Sequence, residues 1–95
     1  MLDTRVANNQ ESLLQALDDI KKYLESGGDL SGFSKEEVIE LVDDSRAEVE
    51  KPNPNITQLK TYLIGVAISI QTVASLKPAY EAIKLALSRF HITLP

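Results

Sequence analysis

"KPNPNITQLKTYLIGVAISIQTVASL", residues 51–76, is the stretch that decides the fold. Its first five residues stop one helix and start another. Pro52 and Pro54 have no amide hydrogen to donate, and each disfavours helical geometry at the residue before it, so Lys51 and Asn53 are driven towards extended backbone. Asn55 can then accept from the free amides of the next helix, with Gln58 at the capping-box position three residues on. The segment has neither the spacing of a PxxP ligand nor the glycines of a phosphate-binding loop.

The helix that follows, expected over residues 56–76, carries no charge between Lys60 and Lys77. Leu59, Leu63, Val66, Ile70 and Val73 share one face at helical spacing. Ile64 and Ile68 lie nearly opposite, beside a strip of small, weakly polar residues: Thr61, Gly65, Ser69 and Thr72. A helix apolar on more than one side is buried on more than one side. This one is therefore either the central helix of a domain or the seam of an oligomer, and Thr61, Gly65, Ile68, Ser69 and Thr72 are the candidate contact residues. On the seam reading, Gly65→Leu would disrupt assembly. A membrane span is disfavoured, because the sixteen uncharged residues cover about 24 Å at helical rise, short of the roughly 30 Å hydrocarbon core, and Gln71 would lie inside it.

Working outward, Ser34 and Glu37 form a capping box for a helix over 34–51, with Val38, Val42, Ser45 and Val49 as its buried stripe and Ile39 and Leu41 on the flanks. Its early acids complement the helix N-terminus. Glu40, Asp43, Asp44 and Glu48 have no such local explanation and are the candidate charged partner face. A first helix over 8–26 buries Leu13, Leu17, Ile20 and Leu24, with Asn8 and Glu11 as a capping box, although Leu2 and Val6 continue the stripe upstream. "SGGDLSGFS" ends it through its glycines, and Phe33 is expected to fold back onto the core. A last helix over 78–90 has Pro78 in its first turn, a stripe of Ala79, Ile83, Ala86, Leu87 and Phe90, and a Lys77–Glu81 pair. A single helix kinked at Pro78 is the competing description. "HITLP" is expected to lie extended across the bundle. These elements make one all-α domain over residues 1–95, a small four-helix bundle with an extended C-terminal tail.

The 95-residue chain contains no cysteine, which excludes a disulfide framework and a thiolate metal site. The first ten residues lack the basic and apolar blocks of a signal peptide, so the cytoplasm is the expected compartment. A net charge of −4 conceals an asymmetry, with thirteen acids and six bases up to Lys51 but one acid and four bases after it. Scattered bases on an acidic chain lack the concentrated positive face that phosphate neutralisation needs, so no nucleic acid is expected as a partner. The halves instead suit attraction to one another, within the fold or between copies.

No constellation of residues points to catalysis. Glu36, Glu40 and Asp43 share a helical face, yet a hard cation needs ligands converging from more than one element. Asp18 with Asp19, and Asp43 with Asp44, diverge by about 100° on a helix and do not serve one bond. His91 has no nucleophile or second histidine to work with, and near a helix C-terminus it has a structural reading through the helix dipole. Tyr23, Tyr62 and Tyr80 read as core residues with their hydroxyls at the rim. No cofactor and no metal are expected.

The segment from Val42 to Pro95, through "EKPNPN", "LK" and the apolar helix, resembles C-terminal helical segments of uncharacterised bacterial proteins. In these an acidic helix ends in a K-P-x-P-type turn and an apolar helix follows. The resemblance implies a bacterial adaptor or effector-associated module of conflict and antiphage systems, and it carries no catalytic residues. Together with the residue-level reading, it makes a non-enzymatic interaction or self-assembly module the leading expectation, with another protein or a second copy as partner. The alternatives are a membrane-active effector using helix 56–76 and a small acidic inhibitor or immunity-type protein.

Overall fold

The computed structural model describes residues 4–30 and 32–89, with side chains from residue 11 onward. They form a four-helix bundle of α1 (Thr4–Glu25), α2 (Lys35–Val49), α3 (Ile56–Ile70) and α4 (Lys77–Ser88), with one 3-10 turn, Ala74–Leu76, before α4. Phe90, His91 and the "HITLP" tail lie outside the described residues. The helices are arranged in a square: α1 packs on α2 and α4, and α3 packs on the same two. In that order the outer groove between α2 and α3 and the one between α1 and α4 lie on opposite sides.

The core is built from the expected stripes. Leu17, Ile20, Val42, Leu63, Val66, Ile70, Ile83 and Leu87 are fully buried, and each large apolar side chain so removed from water stabilises the fold by about 1.5–3 kcal/mol. Ser45 and Ser69 are also buried. Their hydroxyls donate to the carbonyls one turn back, Ser45 Oγ to Leu41 O at 2.7 Å and Ser69 Oγ to Gly65 O at 2.8 Å. Neither then carries an unmet polar group into the core.

Two of the expected caps form. Ser34 Oγ accepts from the Glu37 amide at 3.3 Å, and Asn55 Oδ1 accepts from the Gln58 amide at 3.1 Å. The Asn8 cap does not, because α1 begins at Thr4 and places Asn8 inside the helix. At its other end α1 closes on a glycine turn: Gly27 takes a φ of 103°, and the Gly28 amide donates to Tyr23 O at 2.8 Å. The Tyr23 hydroxyl donates in turn to Asp29 O at 3.1 Å.

α3 stops at Ile70, short of the expected residue 76. Thr72 and Val73 are β-branched and poor helix formers, and Val73 adopts extended backbone with φ −92° and ψ 108°. The break lets Leu76 and Ala79 turn into the core. Pro78 then sits in the first turn of α4, where its missing amide hydrogen leaves no helical bond unmade. A separate helix, not a kinked one, is the outcome. No described helix is long and apolar enough to cross a membrane.

Candidate functional site

The acidic residues of α2 divide into two sets according to what they touch. Glu48 is buried, at 3% relative exposure, so it is not part of an exposed partner face. Its carboxylate accepts from the Asn55 amide at 2.6 Å and from Lys51 Nζ at 3.0 Å. The Asn55 amide first, and the Lys51 ammonium second, hold its carboxyl below the usual glutamate pKa. Glu48 is thus the clasp of the "KPNPN" turn, tying the end of α2 to the residue that caps α3.

Asp43 faces α1, where it pairs with Lys21 at 2.9 Å. Hydrogen bonding to Asp43 raises the Lys21 pKa. Arg46 reaches Asp18 at 3.6 Å, and Lys22 reaches the same carboxylate at 3.1 Å. The Lys21–Asp43 and Arg46–Asp18 pairs knit α1 to α2, while Lys22–Asp18 lies within α1. What remains facing solvent is Glu36, Glu37, Glu40 and Asp44, and among the described residues none of these four is in an ion pair. The Lys77–Glu81 pair expected from spacing is not made among the described residues, and both side chains are exposed.

The small-residue strip of α3 is divided in the same way. Ser69 is buried, Gly65 is half-buried, Thr61 is exposed, and Thr72 lies in the turn after the helix. A Cβ on Gly65 would meet Leu41 Cδ1 at 3.1 Å, so the glycine permits close approach of α2 and α3 inside one molecule. Gly65→Leu would therefore press on α2 and would not report on an oligomer seam alone.

Gly65, Ile68 and Ser69 nevertheless come together, in the outer groove between α2 and α3, with Phe33, Ser34, Glu37, Val38 and Leu41. Phe33 is 45% exposed and Ile68 is 41% exposed, whereas isolated folding would have favoured burying both. Phe33, expected on the core, lies instead at the rim of the groove and is exposed to solvent. Phe33, Glu37 and Leu41 are groove residues that spacing along a single helix does not reveal, because they come from the loop and helix facing α3. Thr61, Thr72, Glu40, Asp43 and Asp44 do not line it.

The groove has a volume of about 300 Å³ and is open to solvent, at the lower end of the roughly 300–1,000 Å³ typical of small-molecule sites. Such sites also need convergent polar groups to orient a ligand. Here the Ser69 hydroxyl donates to Gly65 O, and Ser34 Oγ already serves Glu37 N and Glu36 Oε1. The groove offers shape and apolar surface beside acidic side chains, which suits a side chain presented by a protein segment. Among the described residues, no group of three or more His, Cys, Asp or Glu side chains is placed to hold a metal ion. No known protein family, curated protein or solved structure matches the chain.

Proposed function

We propose that the chain is a non-enzymatic protein-interaction module whose binding site is the α2/α3 groove, working as a cytoplasmic bacterial adaptor or effector-associated domain. The observation that carries the reading is the pairing of exposed Phe33 and Ile68 across a groove floored by Val38, Leu41 and Gly65. Exposed apolar side chains gathered at a concave site beside unpaired acids favour an amphipathic helix with an apolar anchor and basic flanks, the helix-in-groove mode.

The test is a titration of isotopically labelled protein with a synthetic helical peptide bearing one leucine flanked by lysine and arginine, followed by amide chemical shifts. Shifts confined to residues 33–41 and 65–69, and lost in Ile68→Asp, are the expected result. No shift at millimolar peptide, or shifts indifferent to Ile68→Asp, would remove the groove as a binding site.

A further inference from the structure

We propose that the occupant of the α2/α3 groove is a second copy of this chain, which inserts Leu85 of its α4, so that copies join head to tail. This rests on the reading of the groove as an interaction site and names its partner. Among the described residues the exposed large apolar side chains are Phe33, Ile56, Ile68 and Leu85. Two of them belong to the groove. Leu85, at 58%, is the most exposed of the four, and among the described residues it stands mostly open to solvent on the outer face of α4.

The charges around the two surfaces are complementary. Leu85 is flanked on the exposed face of α4 by Lys84 and Arg89, with Glu81 as the one acid there. On the groove side Glu37 lines the site. Glu40 and Asp44 follow at helical spacing along α2, exposed and without a cationic partner among the described residues. Two bases beside an apolar knob thus meet a row of acids beside an apolar groove, an arrangement that fixes register and steers encounter. An unrelated basic helix would satisfy the same groove, but the chain itself already displays the required anchor and flanks.

The square order of helices determines the kind of assembly. The groove lies between α2 and α3, whereas Leu85 adjoins the opposite groove, which is lined by Ser12 of α1, by Glu81, Ala82 and Ala86 of α4 and by Arg89 just past its end. A molecule cannot fill its own groove, and two molecules cannot exchange both contacts face to face. The contact is heterologous, so each added copy leaves a free groove at one end and a free Leu85 at the other, and growth continues into an open chain or closes into a ring. One side chain and its rim bury less surface than a stable interface requires, so association is weak, salt-sensitive and governed by concentration.

The experiment is light scattering on the full chain over about 10 μM to about 1 mM protein, a range that reports micromolar to millimolar affinity, for the wild type, Ile68→Asp and Leu85→Asp. Both positions are exposed, circular dichroism checks the fold, and Lys84→Glu with Arg89→Glu is a second probe of the knob. The wild type is expected to grow in mass with concentration and to shrink at high salt, while each variant alone stays single. Mixed in equal amounts, the two variants are expected to form a pair that grows no further, since one copy retains the knob and the other the groove. A wild type that stays single throughout overturns the second-copy occupant, and the peptide titration then decides the groove independently. A wild type that assembles while the variants also assemble alone, or while their mixture stays single, overturns the Leu85 contact.

Discussion

The Glu48 carboxylate joins the end of α2 to the start of α3, accepting from the Asn55 amide at 2.6 Å and from Lys51 Nζ at 3.0 Å. Its position in a run of acids suggests a solvated face, but its partner is the backbone amide of Asn55, seven residues on and across a turn. A helical projection displays side chains and not the amides that a turn brings round, which is why this role was not legible. Glu48→Ala should leave the Asn55 amide without its acceptor and lower the melting temperature clearly, whereas Glu40→Ala and Asp44→Ala should leave it unchanged; thermal unfolding followed by circular dichroism makes the comparison. The pH dependence follows from the same contact. Because the folded state favours ionised Glu48, its contribution is present above the usual glutamate value of 4.5 and is lost as pH falls through the lower folded-state value. Stability of Glu48→Gln should accordingly fall less steeply than that of the wild type below pH 4.5. Gly28 makes a second residue-scale prediction. A Cβ there would collide with the Tyr23 ring, so Gly28→Ala should destabilise the fold by about 1–3 kcal/mol, as overpacking does. In a Tyr23→Ala background, denaturant unfolding should show most of that penalty gone.

At the scale of elements, the parts that were legible are those whose chemistry is local. Ser34 and Asn55 announce helix starts because their side chains cap amides three residues on, and Pro52 and Pro54 announce a stop because they cannot donate. Ser34→Ala and Asn55→Ala should each cost about 1 kcal/mol, which for a domain of this size lowers the melting temperature by about 4–8 °C. What was not legible depended on the rest of the fold. Val73 continues the apolar spacing of α3, yet the helix ends at Ile70 and the break brings Leu76 and Ala79 inward, a packing outcome that spacing does not display. Asn8 and Glu11 match a capping box, yet α1 already begins at Thr4. The candidate strip on α3 was legible as a set of residues but not as a surface, since α2 covers Ser69 and part of Gly65 while Ile68 stays open. Leu63→Ala, removing a side chain with no exposure from α3, should cost about 2–5 kcal/mol, measurable by the same denaturant unfolding.

For the whole molecule, the charge asymmetry noted along the chain becomes a difference between faces. Acids of α2 left over from the α1–α2 ion pairs border one groove, and bases of α4 border the apolar side chain on the opposite side. Composition could suggest that the halves attract, but only the square order of helices shows that these surfaces cannot meet within one copy. The most direct measurement is an amide chemical-shift map of the wild type at low and high protein concentration. Head-to-tail assembly predicts concentration-dependent shifts in two separate clusters, residues 33–41 with 65–69 and residues 81–89, both suppressed at high salt. Shifts in one cluster alone, shifts spread evenly over the surface, or spectra unchanged with concentration would contradict it.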